Sequence, residues 1–557
     1  MSKNLYSSVH IAGWVWIVET IGNWNPQLLR ELTSRVNWRN LIVTGLLSIG
    51  LQASFLAYRS SLLPVDRVAD SWVYQQYCQK TLTPGCAAEA KGILIDWQEW
   101  WAHVAMGSGL IFVLMATVGA YFVASSFRQE RELGTLDFLR LVPRRADTVL
   151  VGKLLGAPVL VYFAAICALP LQLYAVRAAQ ISILTVLAWD LAMVGWTVMC
   201  YLSAAIVTLR SNTLPILSAI STLVLSSVLV TICLRWYGKY DRSTLQWYGI
   251  GLDNHPPTFL ILSGLTILGS YWLYRGLERS YQQPSSPILS RTQSYLWTLT
   301  YHLFLLGFCV VRKLIDRADF LDRPSDTKFA HRLAFDPSLN AYSGGGSYDG
   351  IYGNLPPLFW SLLLFWMLLT IALMLPSVRS MTEWAQEQQL KPDRWQPMLW
   401  QDRSPAILAA LVNIGIAIVV WSIPVSLSFP ITRSNLATWL LSSIILLICT
   451  GIWSTIAHLK QFGRVRHYRW LVFGFVTILI LPVFIWETNA RGRHLGEWIG
   501  LFPGTFCQML LSTIDANRWG SVIVILGMLW VWVWLLLCLQ TKLDRDLRSR
   551  DRITGLE

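Results

Sequence analysis

The stretch RQERELGTLDFLRLVPRR, residues 128–145, is polar and rich in charge, yet GLIFVLMATVGAYFVA (109–124) precedes it and LLGAPVLVYFAAICAL (154–169) follows it. A helix that crosses a membrane needs about 20 mostly apolar residues. A charged segment set between two such runs therefore belongs at a membrane surface. Leu133, Leu136, Leu139 and Leu141 recur in it at near-helical spacing, with Glu130, Arg131, Glu132 and Asp137 between them. That pattern predicts a short amphipathic helix lying on a membrane or against a partner. Pro143 ends it, and Arg144 and Arg145 lead toward Lys153 and the next apolar run.

Composition agrees with this reading. Of 557 residues, 54% are hydrophobic and 14% charged, where a soluble domain carries roughly 25% charged residues. The 29 Trp suit interfacial belts, where an amphipathic ring is favoured. The net charge of +13 fits cytoplasmic loops facing an anionic leaflet. It does not point to nucleic acid, because no basic run is interleaved with stacking aromatics outside the apolar spans. The opening MSKNLYSSVH is polar and the IAGWVWIV after it is short, so the chain is expected to insert through its first long span rather than a cleaved leader.

Candidate spans fall near 39–58, 101–126, 151–176, 181–209, 213–234 and 257–275, then near 296–311, 355–376, 406–429, 436–457, 469–486 and 519–540. The expected fold is all-α: a polytopic helical bundle of twelve spans. With both termini inside, the inner segments carry the larger share of Lys and Arg, as the positive-inside rule requires. The loops 59–97 and 312–354 then lie outside. The first holds Cys78 and Cys86, and a disulfide between them would persist there; two free thiols are the alternative. The remaining cysteines lie in or near apolar spans and read as small core residues.

The two sets of spans are offset by a near-constant distance, and their long loops fall at matching places. This is the signature of an internal repeat, with halves 1–280 and 281–557. The approach segments also match: Pro26, Leu28 and Arg30 fall on Pro287, Leu289 and Arg291.

Residues 25–280 resemble the ABC-2 type permeases, the membrane subunits of ATP-binding-cassette exporters. The resemblance rests on Glu130, Glu132, Gly134, Thr135, Leu136, Asp137 and Leu139, followed by Gly152, Lys153 and Leu155, and on the NPQLLREL segment through Asn25, Pro26, Leu29, Arg30 and Glu31. It implies an amphipathic helix ahead of the first span and a cytoplasmic coupling helix received by a cleft in a partner ATPase. Charged residues at the ends of the coupling helix, Arg144, Arg145 and Lys153 among them, would then pair with the partner. Gly134 would permit close backbone approach, and Thr135 would cap the following helix. The plain alternative is a solvated inner loop whose charges only fix topology.

The second half departs from the pattern. Its loop MTEWAQEQQLKPDRWQPMLWQDRSPAIL keeps Glu383, Glu387, Pro397 and Asp402 but has neither GTL nor Gly-Lys. It is either a degenerate half of a single-chain pseudo-dimer or an extension, in which case two chains make one transporter. No phosphate-loop motif occurs. The chain is therefore expected to be no enzyme and to hold no cofactor, with ATP and Mg handled by two copies of a separate ATPase. The expected location is the cytoplasmic membrane of a prokaryote.

Asp190 is the one acid well inside a span. A charge at that depth costs about 2.5–3.5 kcal/mol on insertion scales, which makes it a candidate substrate-path or proton site; an interhelical hydrogen bond is the bland alternative. His302 reads as a packed structural residue, and no histidine shows metal spacing. A membrane transferase acting on lipid-linked substrate, using Asp66 and Asp70, and a non-transporting scaffold are the rival classes.

Overall fold

The computed structural model describes residues 19–63, 88–89, 92–93, 95–141, 145–211, 214–238, 246–247, 250–251, 255–322, 366–390, 399–428, 433–461 and 518–554. The described chain is almost entirely helical. Its only strands are two residues long: Ala88–Glu89 pairs with Gly92–Ile93, and Gln246–Trp247 and Ile250–Gly251 are the others. Cys78 and Cys86 lie outside the described residues.

The chain divides into two compact units, Met1–Leu245 with Gly251–Pro284, and Gln246–Ile250 with Ser285–Glu557. In the first unit the helices are α1 (Pro26–Arg35), α2 (Trp38–Ser61), α3 (Trp97–Met106), α4 (Ser108–Glu132), α5 (Thr135–Leu141), α6 (Ala146–Gly156), α7 (Val159–Ala178), α8 (Ile183–Arg210), α9 (Pro215–Gly238) and α10 (His255–Gln282). Helix α8 is the hub, packed against α4, α9 and α10. Small residues let its neighbours come close. A Cβ at Gly195 would stand 2.3 Å from the Thr266 hydroxyl on α10, and one at Gly119 on α4 would stand 2.0 Å from the Tyr201 hydroxyl. That hydroxyl donates to the Met115 carbonyl at 2.9 Å.

In the second unit α11 (Arg291–Asp322) packs on α13 (Ile407–Ser428), α13 on α14 (Arg433–Gln461), and α14 on α15 (Arg518–Thr554), while α12 (Val378–Leu390) touches α15. The core is built from Trp366, Met367, Ile371, Met374, Ala406, Ala410, Ile414 and Cys449. Arg291 is fully buried, its guanidinium donating to the carbonyls of Met374 and Ser404. Asp402 accepts from the Arg291 backbone N–H at 3.0 Å and so caps the start of α11.

Six helices are long and apolar enough to cross a membrane among the described residues: Trp38–Ser61, Trp97–Glu132, Val159–Ala178, Ile183–Arg210, Pro257–Gln282 and Leu526–Leu547. Shorter apolar helices occur at Pro215–Ser227, Ile407–Ser422 and Leu446–Leu459. Of the remaining expected spans, 296–311 lies within α11, 355–376 is described only from 366, and 469–486 lies outside the described residues.

The expected third span, 151–176, starts too early. Pro158 lacks an N–H and its ring crowds the carbonyl four residues back, which kinks or breaks a helix; here α6 ends at Gly156 and the crossing helix begins at Val159. This moves Lys153 out of the span and onto a separate helix.

Candidate functional site

Helix α1 is set by its first residues. Asn25 is extended (φ −148°) and its side-chain oxygen accepts the Leu28 N–H at 3.0 Å, with Pro26 opening the helix, a cap and N1 pair suited to a helix start. The Asn25 amide also donates to the Thr148 carbonyl at 2.8 Å, tying α1 to α6. The two helices touch through glycines. A Cβ at Gly156 would meet the Glu31 Cβ at 2.5 Å, and one at Gly152 would stand 2.8 Å from both the Asn25 side-chain oxygen and the Leu28 nitrogen.

Beneath this contact lies Lys153, fully buried. Its Nζ donates to the Ser126 hydroxyl at 2.7 Å and lies 3.0 Å from Glu130 Oε1 and 3.4 Å from Glu31 Oε1. Ser126 in turn donates to Glu31 at 3.0 Å. Arg30 pairs with Glu130, and Arg35 with Glu31 at 3.2 Å. The ammonium also lies 5.1 Å from the Phe127 ring centre. Three separate stretches of sequence thus meet around one cation. Isolated buried charges are very costly, so such groups persist only when paired and hydrogen-bonded.

The electrostatics follow from this crowding. Burial by itself would raise the Glu31 carboxyl, but Lys153, Arg35 and the Ser126 hydroxyl outweigh it and hold Glu31 below its ordinary value. Burial pulls the Lys153 ammonium down, and Glu130 and Glu31 offset part of that. The second oxygen of Glu130 is buried with no hydrogen-bond partner among the described residues.

Helix α4 ends just past Glu130. Gly134 has φ +70° with open space where a Cβ would stand. It makes the left-handed turn that closes a helix, and no other part of the described chain approaches it within 4 Å. Thr135 donates backward to the Glu130 carbonyl at 3.1 Å, capping the helix behind it rather than the one ahead. Arg131 reaches the Thr208 and Ser211 carbonyls at 3.1 and 3.2 Å, satisfying the end of α8.

Helix α5 presents two faces. Leu136 is buried and Leu139 half-buried. Arg140 donates to the Tyr281 carbonyl at 2.7 Å and pairs with exposed Asp137 at 2.7 Å. On the other side of α5 Phe138 and Leu141 are 68% and 84% exposed, and Leu133, at the end of α4 just before the Gly134 turn, is 67% exposed. Glu132 is exposed and pairs with Arg128 at 2.6 Å. Arg145 is exposed at the start of α6, and Arg144 lies outside the described residues.

The motif residues therefore sort into two groups. Asn25, Arg30, Glu31, Glu130 and Lys153 form one buried joint, with Arg30 at its open edge, while Gly134 to Leu141 form a surface turn and helix. Sequence reasoning missed Ser126. Its signal was a Ser-Ser pair interrupting an apolar run one turn ahead of Glu130.

Elsewhere, His302 accepts from Trp421 Nε1 at 3.1 Å and packs on Trp366 with ring centres 4.6 Å apart, a structural placement. In the second unit's loop, Glu383 pairs with Arg379 at 3.0 Å and Glu387 with Arg403 at 3.4 Å. No group of metal-ligating side chains occurs among the described residues. No family description, curated protein or solved structure matches the chain.

Proposed function

We propose that the chain is the multi-pass permease of an ABC-2 type exporter, and that α5 is the surface gripped by a separate ATPase. The observation that carries this is the pairing of exposed apolar side chains, Phe138 and Leu141 on α5 and Leu133 just before its turn, with a buried ionic joint at the end of α4. A surface helix that merely fixed topology would need neither. Force applied at α5 passes through the Gly134 turn into Glu130, and from Glu130 through Lys153 to α6 and α1. The membrane-crossing parts of α4 and α7 adjoin this joint directly.

In this reading the chain lines the path and the ATPase, in two copies, binds and hydrolyses ATP with Mg. The protein sits in a prokaryotic cytoplasmic membrane with both termini inside. The second half, with its own loop chemistry, completes a pseudo-dimer.

The test is purification of the tagged full chain from its native membranes, with the co-purifying proteins identified by mass spectrometry. A phosphate-loop ATPase is expected with the wild type and lost with the triple variant Leu133→Ser, Phe138→Ser, Leu141→Ser. Equal recovery from both would contradict docking at α5, and a transferase or scaffold would bring no ATPase at all.

A further inference from the structure

Asp190, near the start of α8, accepts an interhelical hydrogen bond from the Gln172 amide at 2.9 Å. The unspent charge of the first unit lies at the other end of α8, where arginines gather. Helix α8 ends at Arg210, and α10 ends three residues past Arg279. Arg210 donates from Nε to the Ser280 hydroxyl at 3.2 Å and from Nη1 to the Pro284 carbonyl at 3.0 Å. Arg140, on α5, donates from Nε to the Tyr281 carbonyl at 2.7 Å, its guanidinium 5.6 Å from the Tyr281 ring centre. Ser280 and Tyr281 are both buried, so one turn of α10 holds Arg210 and Arg140 together. Arg279 precedes that pair of residues, and Arg140 and Arg279 both stand close enough to repel Arg210. Arg131 reaches the carbonyls of Thr208 and Ser211, on either side of Arg210.

Capping helix ends uses only part of this charge. The last carbonyls of a helix carry about half a negative charge, so the ends of α8 and α10 offset about one positive charge. Asp137, paired with Arg140 at 2.7 Å, offsets another. The other carboxylates nearby are taken: Glu278 by Arg275 at 2.7 Å, and Glu130 by Lys153 and Arg30. Against Arg131, Arg140 and Arg210, about one positive charge is left over even before Arg279 is counted. The donors are not used up either. Arg210 Nη2 is buried with no hydrogen-bond partner among the described residues. Leaving a buried donor unmade is costly, more so on a charged group.

We propose that Arg210 and Arg140, with Arg279 alongside, bind one phosphate group, Arg210 Nη2 supplying the spare donor and the neighbouring guanidiniums the charge. A phosphate suits this arrangement because its several acceptor oxygens can take bidentate guanidinium forks from more than one element. Arg210 closes a helix long and apolar enough to cross a membrane. The site is thus level with lipid phosphates, where basic pockets between helices take anionic headgroups. A free phosphate ion offers the same oxygens. The proposal concerns binding at the helix ends and does not depend on the ATPase reading.

The test follows the thermal unfolding midpoint of the purified, delipidated full chain in detergent, since a ligand of the folded state raises it. The probes are dioctanoyl phosphatidic acid, inorganic phosphate and, as the phosphate-free twin, dioctanoylglycerol. A phosphate probe should raise the midpoint saturably and dioctanoylglycerol should not. The half-saturating concentration should rise about tenfold in Arg210→Gln and in Arg140→Gln, the loss of one charge-assisted hydrogen bond. Arg140→Gln, nearer the surface, decides the matter if Arg210→Gln does not fold. Arg59→Gln removes the same charge where α2 packs by the start of α8, and should bind as wild type does. Phosphatidic acid acting at the lower concentration assigns the site to a lipid headgroup; inorganic phosphate acting at an equal or lower one assigns it to the free ion. Wild-type affinity in the folded cluster variants, an equal loss in Arg59→Gln, or no shift by either phosphate probe would overturn the proposal and leave the arginines as helix-end caps only.

Discussion

Lys153 decides most at the residue scale. Removing one partner from a buried pair costs about 3–5 kcal/mol, because the charges left behind stay buried. Lys153→Met should therefore lower the thermal unfolding midpoint of the detergent-solubilised chain by an amount corresponding to about 3 kcal/mol. Adding Glu31→Met should recover part of that loss; additive losses would mean the two side chains act separately. The sign of the pH response follows from Glu31. Its folded value lies below the ordinary 4.5, so its contribution is complete above the unfolded value and is lost as pH falls through the lower folded one. The stability gap between wild type and Glu31→Gln should persist at pH 7 and narrow as the pH falls below the ordinary carboxylate value toward the lower folded one. At Gly134 the left-handed backbone, with no neighbour within 4 Å, sets the cost of Gly134→Ala at about 1–2 kcal/mol, measurable by the same melt.

Element-scale behaviour turns on how α5 is held. Leu136 and the Arg140 bond to Tyr281 anchor one face, so the opposite apolar face is displayed on a fixed base. Leu133→Ser, Phe138→Ser and Leu141→Ser together should leave the unfolding midpoint unchanged, because these side chains are already exposed. A large destabilisation would show that they are packed in the native protein. The amphipathic nature of this segment was legible in its leucine spacing, but its break into two helices at Gly134 was not: glycine serves close approach and left-handed turns alike, and spacing cannot say which. Thr135 was read as capping forward for the same reason. The third span was placed too early because Gly156-Ala157-Pro158 is apolar by composition, and the missing proline N–H outweighs hydropathy there.

For the whole molecule, composition already pointed to a membrane protein, and the structure supplies six helices of sufficient length and apolarity among the described residues. The buried joint was beyond sequence reading as a joint. Lys153 and Glu31 are 122 residues apart, and nothing local to either reports which distant helix it meets. Their residue types were visible only through a family resemblance, which put Glu31 in the entry helix and Lys153 in the coupling segment; the structure brings both into one buried joint between α1, α4 and α6. The same reading requires residue 138 to face the compartment that holds ATP. Phe138→Cys, in a chain otherwise free of reactive cysteines, can be treated with a membrane-impermeant maleimide in right-side-out and inverted vesicles. Labelling in inverted vesicles alone is the expected result, and labelling from the outer face of sealed right-side-out vesicles would contradict the account.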